Sequence, residues 1–155
     1  RQTMSNWLEL CQEFNRKPLL KDLNRKQLEA VIDILCLMMY ADNRISTLEE
    51  VEFKEVLLRL PWLKNQEPLV DGRINVSSSK ARYATTTEDR LVMADTAAQA
   101  LGDRAVNESV FELAVLMAHS DLVFHEREKD VLEVLAKSLG IAPGRAQELA
   151  GAATY

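Results

Sequence analysis

Glycine and proline are scarce in this chain, five and four among 155 residues, and apolar/polar alternation of the kind strands need is almost absent. Many short strands require both that alternation and frequent turn residues, so their shortage leaves an all-helical protein as the expectation. Long hydrophobic runs are missing too. The longest, Ile34 to Ala41, has the length of a core helix and falls short of the roughly 18–20 residues that a membrane span needs. No secretory-type apolar segment opens the sequence. There are only two cysteines, Cys11 and Cys36, too few for a disulfide framework, and both sit in apolar helical patterns. They read as reduced, buried thiols, which sets the expectation of a cytoplasmic protein. Basic charge is in deficit: 19 Lys and Arg against 24 Asp and Glu give a net charge of −5 and a pI near 5.1. Non-specific nucleic-acid binding therefore has no electrostatic support.

Catalytic material is equally thin. Two histidines leave little general-base capacity, and no Ser or Cys stands in a recognisable nucleophile context. There is no Gly-rich phosphate loop. His125-Glu126 opens like a zincin helix, but Lys129 stands where the second imidazole belongs. Neither histidine has a Glu three residues before it, as a di-iron bundle would require. The expectation is a protein that is not an enzyme.

What the chain does have is one pattern written twice. Asp42-Asn43-Arg44-Ile45-Ser46-Thr47-Leu48-Glu49 is answered by Asp121-Leu122-Val123-Phe124-His125-Glu126-Arg127-Glu128. In both, an apolar residue follows the Asp at the third position and a Glu follows four later. Asp42 and Asp121 are 79 positions apart, as are Glu49 and Glu128. Each copy follows an apolar run and precedes an amphipathic one, Val51 to Leu60 and Val131 to Leu139. Two helix–acidic turn–helix units can bring four carboxylates near one pseudo-twofold axis, where they would hold a cation.

Periodicity and capping signals place the elements. A short helix is expected over 6–15, with Trp7, Leu8, Leu10, Cys11 and Phe14 as its apolar face. Asn24, with Gln27 three residues on, opens a long helix to about Tyr40. Ser46-Thr47-Leu48-Glu49 is a capping-box signature that starts a helix running to Pro61. Residues 61–86 contain Pro61, Pro68, Asp71-Gly72 and Ser77-Ser78-Ser79, and read as a long connection with at most a short helix over 79–83. Arg73, Lys80 and Arg82 make that connection mildly basic and read as solvated loop charges. Thr87 is the expected cap of a helix over 88–101 that Gly102 closes. Further helices follow from Asp103 or Asn107 to His119, from Glu126 to Leu139 with a stop at Gly140, and from Pro143 toward Leu149. The expected architecture is a single domain over 1–155 of seven to eight helices. Its repeat halves cover about 24–62 and 103–141, connected by 61–102. The runs 28–41 and 109–118, apolar nearly all round, should be central and buried.

The paired acids also have a purely structural reading. Asp accepts turn amides, and Glu completes a capping box or meets the positive end of the helix dipole. That reading covers the first copy, where Ser46 and Glu49 satisfy each other. The second has His125, a poor N-cap, at the corresponding place. The spacing resembles the second half of an EF-hand loop, but the first and third ligand positions fall on Met38 and Tyr40, and on Met117 and His119. One turn alone has too few oxygens; two together make a competent set. Oxygen donors suit Ca²⁺, Mg²⁺ or Mn²⁺, and His119 and His125 beside Asp121 add Zn²⁺.

At these residues the chain resembles the TerB family of tellurite-resistance proteins, whose members carry an Ala-Asp-Gly turn, an apolar residue and then a Glu opening the next helix. Tyr40 to Glu49 matches with Asn43 in place of the usual Gly; His119 to Glu128, continued by Val131 to Ile141, matches again with Leu122 in that place. The resemblance covers roughly residues 25–150. It implies a bacterial, cytoplasmic, all-helical stress-response protein with an internal pseudo-twofold repeat, sometimes peripheral at the inner membrane face. It also implies divalent-metal binding through Asp42, Glu49, Asp121 and Glu128, and no enzymatic activity. Related domains serve as adaptors in co-chaperones. The alternative expectation is thus a metal-free adaptor that docks a protein partner or membrane complex, through an exposed apolar patch around Trp62, Leu63, Leu69 and Val70.

Overall fold

The computed structural model describes residues 12, 16, 17, 20, 23–40, 47–59, 67–118 and 126–154. Seven α-helices and no strands are present among the described residues: α1 (Arg25–Met39), α2 (Thr47–Arg59), α3 (Glu67–Tyr83), α4 (Thr87–Leu101), α5 (Arg104–Ala118), α6 (Glu126–Ser138) and α7 (Pro143–Thr154). The all-helical expectation holds. The short helix expected over 6–15 falls, apart from Gln12, outside the described residues. No helix among those described is long and apolar enough to cross a membrane.

Helix α1 is the hub. Its start is a capping box: the Asn24 side chain accepts from the Gln27 backbone N–H (2.8 Å), and the Asn24 N–H donates to the Gln27 side chain (3.1 Å). Two helix-end donors are thereby satisfied without water. Every residue from Ala30 to Tyr40 is buried, as its all-round apolar pattern predicts. α1 touches α3, α4, α5 and α6. The Gln27 side-chain amide also donates to the Leu101 carbonyl (2.9 Å), tying the start of α1 to the end of α4.

The other ends follow local chemistry. Thr86, one residue before the expected Thr87, caps α4 by accepting from the Asp89 N–H (3.1 Å), and Gly102 closes the helix at φ 60°. Asp103 accepts from the Val106 N–H (3.0 Å) at the start of α5. After α6, Gly140 adopts φ 70°. Its N–H donates to the Lys137 carbonyl (3.2 Å) while the Ile141 N–H donates to the Ala136 carbonyl (2.9 Å), the paired bonds of a Schellman stop. Pro143 then occupies the first position of α7, where its missing N–H costs nothing. α7 lies on α5, and the Arg145 guanidinium donates to Glu108 at 2.9 and 3.2 Å.

Residues 67–83 correct the expectation of a connection: they form the 17-residue helix α3, packed on α1 and α2. Pro68 lies in its first turn, where no intrahelical bond is lost. Val70, Ile74, Ser77 and Ala81 recur every three or four positions and are all buried. That stripe escapes a hydrophobicity pattern because one member is a serine and another an alanine. Lys80 and Arg82 lie in the last turn and favour the negative end of the dipole.

Candidate functional site

The four expected cation ligands divide into two kinds. Asp42 and Asp121 belong to 41–46 and 119–125, which lie outside the described residues. Glu49 and Glu128 are both the third residue of a helix, α2 and α6, but their side chains lie outside the description. The same is true of His119 and His125. Among the described residues, no group of three or more His, Cys, Asp or Glu side chains stands together as a metal site would require.

The helical frame around the two acidic turns is described. Arg25 and Arg104 start α1 and α5, Met39 and Ala118 end them, Thr47 and Glu126 start α2 and α6, and Arg59 and Ser138 end those. Each of these four pairs is 79 positions apart, the spacing of the acidic motif itself. Burial follows the same offset, with Phe53 answered by Leu132 and Leu57 by Ala136. α3 packs on α1 as α7 packs on α5, and α1 and α5 touch each other.

The polar cluster that the structure does assemble joins α1 to α3. Asp33, 3% exposed, interrupts the buried length of α1. Arg73 reaches it with two parallel hydrogen bonds, Nε to Oδ1 at 3.1 Å and Nη2 to Oδ2 at 2.6 Å. The Ser77 hydroxyl donates to the same Oδ1. Lys80 Nζ lies 3.9 Å from Oδ2, and Glu29 lies 4.0 Å from Arg73. Burial opposes the charge on Arg73, but the Asp33 hydrogen bonds and the nearby carboxylates outweigh it and raise the guanidinium pKa. A carboxylate in an apolar helix is tolerable only with such partners. Arg73, Ser77 and Lys80 share one face of α3 through i, i+4, i+7 spacing, so these are not solvated loop charges. The sequence signal was the lone Asp33 inside an otherwise apolar run.

Next to this cluster, Cys36 is fully buried and lies 3.7 Å from the Ser78 hydroxyl. Burial pushes its thiol up to about 12; the Ser78 contact and Arg73 oppose that rise, and the Asp33 charge adds to it. The thiol stays protonated at neutral pH, as the reading of a structural cysteine expects. At the end of α3, Arg82 packs over the Tyr40 ring (5.3 Å to its centre) and donates to Glu50 Oε1 (2.6 Å). Its pKa is raised, first by the Tyr40 hydroxyl and then by the Glu50 charge. These groups line a small cleft of about 290 Å³ between α2 and α3.

The patch expected around Trp62, Leu63, Leu69 and Val70 is corrected in part. Val70 is fully buried as a core residue of α3 and Leu69 half-buried, while Trp62 and Leu63 lie outside the described residues. No family model matches the chain, nor does any curated protein or solved structure with which it was compared.

Proposed function

We propose that the chain is a TerB-like binding module that holds a divalent cation between its two acidic turns, with no catalytic role. The observation that carries this reading is the common 79-residue spacing of all four helix boundaries and of the acids they bracket. Capping alone asks for an Asp or Glu near each helix start; it does not ask for two long helical units to keep one register around both. In this reading Asp42, Glu49, Asp121 and Glu128 are the ligands, and carboxylate oxygens favour Ca²⁺, Mg²⁺ or Mn²⁺, with Zn²⁺ if a histidine joins. The likeness to TerB proteins adds a stress-response or tellurite-resistance setting, in the cytoplasm or at the inner membrane face.

The test is thermal denaturation with each ion. An ion at one hundred times its dissociation constant should stabilise the protein by about 2.7 kcal/mol, and raise the midpoint by about 5–11 °C for a chain of this size. The double variant Asp42→Asn/Asp121→Asn should lose that gain while keeping its helical content. If no ion shifts the wild-type midpoint, the reading fails.

A further inference from the structure

Helix α2 leaves one face bare. Leu48, Val51 and Leu58 are 67, 50 and 36% exposed, and Glu55 between them is exposed too. Positions 48, 51, 55 and 58 follow i, i+3, i+7, i+10, the spacing of a coiled-coil stripe. The stripe lies opposite Phe53 and Leu57, the residues that α2 buries, and packing on α3 leaves it uncovered.

An outward helix face is ordinarily polar, and the chain contains its own comparison. Helix α6 has the same length as α2 and begins 79 positions later; at the matching register it carries Arg127, Asp130 and Lys137. Asp130 and Lys137 are exposed, as a water-facing stripe requires. Where α6 meets water with charge, α2 meets it with Leu48, Val51 and Leu58. Single apolar residues scattered on a surface need no explanation, but three along one line of a helix do.

The stripe is complementary to itself in one orientation. Antiparallel pairing about a point near residue 53 sets Leu48 of each copy against Leu58 of the other, and Val51 against the methylene stem of Glu55. The Glu55 carboxylate then comes beside Lys54 of the second copy, which flanks the stripe with a side chain 39% exposed. A parallel pair would instead place the two Glu55 carboxylates face to face, and like charges so juxtaposed repel. We propose that the Leu48–Leu58 face of α2 is a self-association surface, on which two copies of the chain pair antiparallel about a twofold axis. From 48 to 58 is about 15 Å of helix. A contact that short makes a reversible dimer, formed as concentration rises.

Giving α2 the residues that α6 carries, in the triple variant Leu48→Arg/Val51→Asp/Leu58→Lys, tests the surface without touching the core. Sedimentation velocity over a concentration series should show wild type passing from 17.5 kDa toward twice that mass. The triple variant should stay at 17.5 kDa with an unchanged circular dichroism spectrum. Orientation is read with single cysteines in a Cys11→Ser background, Cys36 being fully buried and held protonated. The two thiols of a Leu48→Cys antiparallel pair stand about 15 Å apart, beyond the ~7 Å between Cα atoms that a disulfide can span. Under diamide, a mixture of Leu48→Cys and Leu58→Cys should therefore form the mixed disulfide at least about tenfold faster than either variant links to itself. A wild type that stays monomeric throughout the series would give the face to another partner and overturn the proposal. So would a dimer that the triple variant retains, or faster linking within Leu48→Cys alone, the mark of a parallel pair.

Discussion

Asp33→Leu, Arg73→Met and the double variant form a thermodynamic cycle on the buried contact between α1 and α3. The wild-type carboxylate receives both Arg73 bonds and the Ser77 hydroxyl, with Lys80 close by. Arg73→Met strands an anion whose side chain is 4% exposed, leaving only the hydroxyl and a lysine 3.9 Å away. Stranding a buried charge costs about 3–5 kcal/mol. The Arg73 side chain keeps a fifth of its surface in water, which places this pair at the lower end, about 3 kcal/mol. Asp33→Leu should cost somewhat less, since the freed guanidinium can turn to Glu29 or to solvent. The double variant replaces both partners with apolar side chains of similar volume, so it should be less destabilised than the sum of the singles by about 1–3 kcal/mol. Urea unfolding supplies the free energies. Thermal melts should show the Arg73→Met midpoint about 6–12 °C below wild type. Additivity of the two singles within about 0.5 kcal/mol would refute the idea that Asp33 is held by Arg73 and not by solvent.

Two other expectations concern the same core and one helix end. The folded-state pKa of Cys36, about 12, lies above its ordinary value of 9.0. The unfolded chain therefore loses that proton first, and the stabilisation, fully present below pH 9, is lost as pH rises toward 12. Wild type should lose stability over that window relative to Cys36→Ala; parallel pH profiles would contradict the burial. Gly140→Ala should destabilise by about 1–2 kcal/mol, the cost of a Cβ in the left-handed region. A Cβ there meets no atom within 4 Å, so a much larger loss of denaturation free energy would show that more than backbone conformation is at stake.

Much of the helical framework could be read from neighbours in sequence. Asn24 with Gln27, Gly102, Gly140 and Pro143 act within one turn of themselves, so their roles need no knowledge of the rest of the chain. The same holds for the buried stretch 30–40 and for Val110, Phe111 and 113–115, since a helix apolar on nearly every side has nowhere to go but inside. α3 was hidden for the opposite reason. Its inward face contains Ser77, and its charges Arg73 and Lys80 look solvated until Asp33, forty residues earlier, is known to face them.

The paired acids are legible in the sequence as a repeated pattern, and the boundaries of α1 and α2 stand 79 positions before those of α5 and α6. Asp42 and Asp121 themselves lie outside the described residues. Capping, chain stops and the location of the apolar hub are local properties, decided by residues a few positions apart. Which charge meets Asp33, that Val70 turns inward, and that α5, α6 and α7 leave an apolar groove between them depend on residues distant in the chain. Those contacts form only when folding removes water from between the helices, and no short stretch of sequence carries that information.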